Sequence, residues 1–379
     1  MTRTDAGRVM SKSALLSLAA CLLLACGSRS QLHVPPPNEA SVAGPRSARL
    51  EARFTHSCHA DEDGRVRCWG RNTRGALGPG VSIAETPVEL PLGGFITAVT
   101  VGQSHTCGLR DDGDVVCFGQ VGTALALDAP RVVLRGALAV GSSLLSVCGV
   151  MADGGVECAG MAPTAPDGCG ALEAHAARPV EGLSDVVALE GGDAHMCALD
   201  ARGEVRCWGC NAGGQLGDGT FEPRSAARRV VGLPPATALS SGDRHVCALD
   251  AQGGAWCWGD WDLAPTPVPV ALDLPPARAV LARGPGTVCA VLEGGTGPDD
   301  GTVRCNLQFL DEPTAGECLY AIERPASTVP GLTGVRGLTG HAYGLCAETE
   351  DGVSCWGCNH LGTVGDGSFA LRAAPVSVL

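Results

Sequence analysis

The chain has 379 residues, a formal net charge of -13, 54 glycines, 20 cysteines and only 4% aromatic residues. An acidic body disfavours nucleic acid and anionic lipid surfaces as partners. So many cysteines point to an oxidising compartment, and few large apolar residues leave disulfides much of the stabilising.

In chain order, Arg3, Arg8 and Lys12 make a basic start, and residues 13–25 are an apolar run too short to span a bilayer. The run ends in Leu23-Leu24-Ala25-Cys26, which resembles a bacterial lipobox. Residues 1–25 are therefore expected to be a lipoprotein signal peptide, with Cys26 lipidated as the new N-terminus. Leu18-Ala19-Ala20-Cys21 also fits, but cutting there would leave Leu22, Leu23 and Leu24 on the mature end. A cleaved signal without lipid is the plainer alternative. Gly27 follows Cys26 where aspartate would favour the inner membrane, so the expected location is the cell envelope at the outer membrane. Residues 26–46, with Pro35-Pro36-Pro37, read as a flexible tether.

From residue 47 onward one unit recurs seven times, fullest in 189–220. Its cysteine pairs are Cys58 and Cys68, Cys107 and Cys117, Cys148 and Cys158, Cys197 and Cys207, Cys247 and Cys257, Cys289 and Cys305, and Cys346 and Cys355. Five pairs are ten residues apart around a glycine-bearing turn such as Asp63-Gly64 or Asp112-Gly113. That spacing predicts a β-hairpin in which Cys197 faces Cys207 and Leu199 faces Val205. A period of this length means one supersecondary unit per repeat.

The run HxCAL…GxVxCWGxNxxGQLGDGT resembles the repeat of the regulator of chromosome condensation family, over residues 49–379. The resemblance implies an all-β, seven-bladed β-propeller at 47–379 with one disulfide per blade hairpin. It fixes no activity, since proteins on this fold include exchange factors, ubiquitin-ligase modules, a plant light sensor and a β-lactamase inhibitor. The light-sensor reading needs a dense tryptophan cluster, whereas Trp69, Trp208, Trp256, Trp258, Trp261 and Trp356 fall mostly one per repeat.

The copies differ after the second cysteine. A long NxxGxLG loop follows Asn72, Asn211 and Asn359, and is cut down after Gly119 and Gly259. Ala159 and Asn306 stand where other copies have Trp or Phe. Such an uneven rim is where a binding face is expected. Nothing like the proline-started strand 86–90 precedes Leu50, so residues 375–379 are expected to complete the first blade.

Without Cys21 and Cys26 the cysteines number 18, and the seven pairs leave Cys169, Cys210, Cys318 and Cys358. Cys210 and Cys358 occupy equivalent places, each preceded by a copy with an extra cysteine in a long loop. Cys169 is expected to pair with Cys210, and Cys318 with Cys358.

Other chemistry is weakly signalled. The CWGC strings resemble redox motifs, but their first cysteine has a hairpin partner already. His56, His105, His195 and His245 lie two residues before a cysteine, one per blade, and are expected to hydrogen-bond between blades. Acidic turns at Asp61 and Asp111 lack a calcium-loop pattern. No metal, cofactor or catalytic residue is expected, although a Ser-His-Asp set assembled in space stays open. The expected function is non-enzymatic protein binding by a monomer that touches the membrane only through its lipid. The alternative is an envelope hydrolase or lyase with its site on the uneven rim.

Overall fold

The computed structural model describes residues 48–379 apart from 123–124, 164–168, 170–171, 262–263, 285, 294–300, 311–318 and 342–343. The expected signal peptide 1–25, the lipid site Cys26, the tether 26–46 and Cys318 lie outside the described residues.

The cysteine spacing produces the hairpin it implies. Cys58 faces Cys68, Cys107 faces Cys117, and Leu199 faces Val205 across two-stranded antiparallel ladders. The apolar stretch before each hairpin adds an inner strand, and the proline-bearing stretch after it adds an outer one. Four consecutive strands, a to d, thus make one blade. In blade 1 they are Leu50–Arg53, His56–Ala60, Val66–Arg71 and Ile83–Leu90. The described residues form seven such four-stranded sheets. The a strands stand side by side around an axis, with that of blade 1 between those of blades 2 and 7. The d strands form the outer wall and, apart from Arg224–Arg229 of blade 4, carry prolines such as Pro87, Pro267, Pro269 and Pro375. A proline offers no N–H to a passing strand and blunts the open edge.

The apolar core is divided among the seams between blades. Between blades 1 and 2, Cys58, Cys68 and Leu90 pack on Val99, Val116 and Phe118. The equivalent set between blades 4 and 5 holds Cys197, Cys207, Leu216, Val246 and Trp258. Seven hairpin disulfides form: Cys58–Cys68, Cys107–Cys117, Cys148–Cys158, Cys197–Cys207, Cys247–Cys257, Cys289–Cys305 and Cys346–Cys355. These cystines are almost wholly buried, so they fill the core that a chain poor in aromatics would otherwise leave thin. Each also closes a short loop, which restrains the unfolded chain by roughly 2–3 kcal/mol.

The expectation that residues 375–379 complete the first blade is overturned. Arg372–Ser377 pairs with Gly352–Gly357 of its own blade, Val376 facing Cys355. The outer place in blade 1 belongs to Ile83–Leu90. The error is one of phase: the proline-bearing strand ends a blade instead of opening the next. The ring closes through contacts across the seam of blades 7 and 1. Ala52 N donates to Thr339 Oγ1 at 2.9 Å, Gly367 N to Glu85 O at 2.9 Å, and Trp69 Nε1 to Thr363 O at 3.0 Å. Val376 and Val378 pack in one cluster with Leu50 and Trp69. Deleting residues 375–379 is therefore expected to lower the melting temperature and promote self-association, because it bares the edge of Gly352–Gly357 and opens this cluster. A deletion variant that melts like the full chain and stays monomeric would show that the last strand does not help close the ring.

Candidate functional site

In an antiparallel blade the a–b and c–d connections leave one face of the ring, and the b–c turns leave the other. The loop face therefore gathers the NxxGxLG loops at its rim and the short a–b connections around its mouth. The turn face carries the acidic b–c turns. Asp61 Oδ1 accepts from Asp63 N at 3.0 Å and Arg65 N at 2.9 Å, so that turn is closed on itself.

The rim loops prove to be braces. Asn211 Oδ1 accepts from Leu216 N at 2.9 Å while its Nδ2 donates to Thr220 O at 2.9 Å, which folds the loop back on itself. Asn72 and Asn359 act alike in blades 1 and 7. The folded loop leans onto the next blade's aromatic residue. Trp258 Nε1 donates to Gln215 O at 3.0 Å, and Trp69 Nε1 to Thr363 O at 3.0 Å. Gly217 and Gly365 lie against the two indoles with φ of +63° and +80°, and a Cβ there would come within 2.8 Å and 2.6 Å of ring atoms. Leu77 of the blade 1 loop packs with Phe118 of blade 2. Loop and aromatic are thus two halves of one lock. This explains Ala159 and Asn306, whose preceding blades have the cut-down loops after Gly119 and Gly259. The pairing is visible in the sequence for Phe118, Trp258 and Trp69, each preceded by a copy with the loop, whereas Trp208 and Trp356 follow copies that lack it.

Two extra links use the remaining cysteines. Cys210 of blade 4 is bonded to Cys169, which lies beyond strand c of blade 3. Cys358 is also disulfide-bonded, and its expected partner Cys318 lies outside the described residues. Cys207 pairs with Cys197 and Cys355 with Cys346, so neither CWGC string holds a dithiol.

At the axis the histidines join blade to blade. His56 Nε2 lies 2.9 Å from Thr106 Oγ1, His105 Nε2 3.3 Å from Ser142 Oγ, and His245 Nε2 3.2 Å from Thr287 O. His195 departs from the pattern: neither ring nitrogen has a hydrogen-bond partner among the described residues. A fifth imidazole, His341 of blade 7, is equally buried, and nothing in the repeat signals it because it lies outside the His-x-Cys string. Burial pulls His56, His195 and His341 down to about 3, and His105 and His245 to about 4. Among the described residues no group of three or more His, Cys, Asp or Glu could hold a metal ion.

The same mouth holds a charge cluster that the repeat pattern does not show. Glu51 and Arg53 come from strand a of blade 1, Glu190 from blade 4 (Val186–Gly191) and Arg283 from blade 6 (Ala277–Arg283). Arg283 Nη2 lies 3.1 Å from Glu51 Oε1, and its Nη1 donates to Ser241 O of blade 5 at 2.7 Å. Arg53 reaches across the axis, donating from Nη1 to Gly191 O, with Nη2 3.8 Å from Glu190 Oε2. Both arginines are about 95% buried, at 5% and 4% exposure. The available signal was an arginine ending strand a of blades 1 and 6, where blade 2 has Val101, blade 4 Gly191 and blade 5 Ser241.

The regulator of chromosome condensation (RCC1) repeat models match residues 54–76, 96–120, 186–215 and 202–249. The chain is a seven-bladed propeller that carries RCC1 repeats at these residues. It is 29% identical over 212 residues to the ultraviolet-B receptor UVR8 of Arabidopsis thaliana, covering 51% of this chain and 48% of the receptor, so it spans about half of that relative's length. Human WBSCR16 superposes with a TM-score of 0.68 at 20% identity over 83% of this chain and 94% of its own. Prp20p of Saccharomyces cerevisiae, described with its binding to Gsp1p and histones, gives 0.69 at 18% identity over 91% of this chain and 90% of its own. At such identities these solved structures establish the fold alone.

Proposed function

We propose that this is a non-enzymatic, protein-binding RCC1 propeller, monomeric and held in the cell envelope by a lipid on Cys26. The observation that carries the reading is the state of the hydroxyl–imidazole pairs. Thr106 with His56 and Ser142 with His105 are the nearest approach to a nucleophile and its base, and all four side chains are at most 2% exposed. Neither imidazole has a carboxylate orienting its other nitrogen among the described residues. Bases held near 3 and 4 are poor matches for chemistry at neutral pH. Support also comes from Prp20p, whose described partners are proteins, and from the two broad faces of the ring. The loop face is the favoured docking face, since Phe221 and Phe369 are each 48% exposed there. The net charge of -13 favours a partner with a basic surface.

The test is capture from envelope extracts with the lipidated full chain. A stoichiometric protein partner is expected, lost in Phe221→Asp with Phe369→Asp and retained in Phe95→Asp, which alters the turn face. Turnover of glycan or peptide substrates by the purified protein, with no partner captured, would favour the hydrolase or lyase. In the same cells Cys26→Ser should release the protein from membranes. If that variant stays bound while Cys21→Ser is released, the lipid sits on the earlier cysteine.

A further inference from the structure

Around the mouth the a–b connections touch in sequence. Gln103 N donates to Leu144 O, Leu144 N to Gly192 O, Asp193 N to Asp243 O at 2.9 Å, and Asp243 N to Gly284 O. The contact between blades 4 and 5 therefore brings two aspartates together. Among the described residues neither carboxylate accepts a hydrogen bond or meets a cation within 4.0 Å. The charged groups facing them are few. Glu51 takes both guanidinium contacts, at 3.1 Å from Arg283 and 3.6 Å from Arg53. Glu190 keeps one long contact to Arg53, at 3.8 Å. Arg244, on the same connection as Asp243, turns outward to Asp260 at 3.2 Å. His195 and His245 stand behind as neutral imidazoles. Four carboxylates thus share two arginines in a half-sealed space, and the surplus falls on Asp193 and Asp243.

We propose that this mouth is a proton-linked clasp: protons held on Asp193 and Asp243 let the connections of blades 4 and 5 meet, and their loss drives these connections apart. The electrostatics agree with the geometry. Burial first, and then Asp243, push Asp193 up to about 7, and burial raises Asp243 and Glu190 against the pull of the arginines. The sign follows. A carboxyl raised in the folded state stabilises the closed arrangement below neutral pH, and that stabilisation is lost as pH rises through about 7. The protons leave to bulk water, and Glu190 of the same cluster releases its own over the same range. The clasp needs no bound partner, so it stands or falls apart from the binding reading.

Carboxyl carbon NMR on the full oxidised chain tests it. At least one aspartate resonance should titrate between about pH 6 and about pH 8, far above the ordinary range near 4. Asp193→Asn keeps side-chain size and should remove that titration, and Asp243→Asn, which takes away the neighbouring charge, should move it down. Hydrogen exchange at the Asp193 amide, corrected for the intrinsic rate, should lose about tenfold of its protection over that range, the effect of one unit of pKa difference. In Asp243→Asn the protection should stay level. Ordinary aspartate titrations throughout, or wild-type protection that does not change with pH, would overturn the proposal.

Discussion

Trp69→Ala is expected to destabilise the ring by about 3–5 kcal/mol, as large-to-small changes in sealed cores do. The indole is fully buried at the seam where blade 7 meets blade 1, and its Nε1 holds Thr363 O at 3.0 Å. Truncation leaves a cavity, orphans that carbonyl, and loosens a loop already folded around Asn359. In a domain of this size the fall in apparent melting temperature should be roughly 5–10 °C. Gly365→Ala attacks the same lock from the other side, since the residue has a φ of +80° and its new Cβ would sit 2.6 Å from the indole. The control is Trp256→Ala. Trp256 is only half-buried, and its Nε1 bonds Asp250 Oδ2 within its own hairpin. If Trp69→Ala melts no lower than Trp256→Ala, the lock does not hold the ring shut.

The fold could be read from the sequence because the repeat states it seven times. The cysteine spacing sets the register of each hairpin, and cross-strand partners such as Leu109 with Val115 follow from it. The boundary between blades could not be read the same way. A repeat has no intrinsic first strand, and the proline-started stretch fits equally well as the opening of one blade or the end of another. Only the ladders of Ile83–Leu90 and Arg372–Ser377 decide it. The rim loops were legible as unusual but not as braces, because their partners lie in the next copy. The axial cluster was the least legible. Arg53, Glu190 and Arg283 lie far apart in sequence, and only closure of the ring brings them together. The four repeat histidines fall one per blade, but only His56, His105 and His245 bond to the next blade as their spacing suggests, and His195 does not. Their fate, neutral and sealed, depends on burial that no spacing reveals.

That burial sets the response to acid. Five imidazoles, of His56, His105, His195, His245 and His341, are neutral in the folded ring down to about pH 3–4. In the unfolded chain each takes up a proton below about pH 6.5. The unfolded state therefore binds more protons, and stability falls as pH drops from about 6.5 toward 4, by about 1.4 kcal/mol per pH unit for each histidine. Glu190, Asp193 and Asp243 oppose this, because their raised carboxyls hold protons in the folded ring that the unfolded chain releases above about 4. Five groups against these three leave about two protons taken up on unfolding, a slope on the order of 3 kcal/mol per pH unit. Near pH 7 the two sets roughly cancel, so stability should peak there. Below about pH 4 the depressed carboxyls of Asp61, Asp218, Asp250, Asp366 and Glu348 add their own loss. Melting curves between pH 7.5 and pH 4.5, at constant ionic strength with the disulfides intact, should show a steep fall below about 6.5. His245→Gln should reduce the slope by about one proton, even if it also lowers the melting temperature at every pH. A melting temperature that stays level down to pH 4.5 would mean that these imidazoles are protonated within the folded ring, and that the seams between blades admit charge and water.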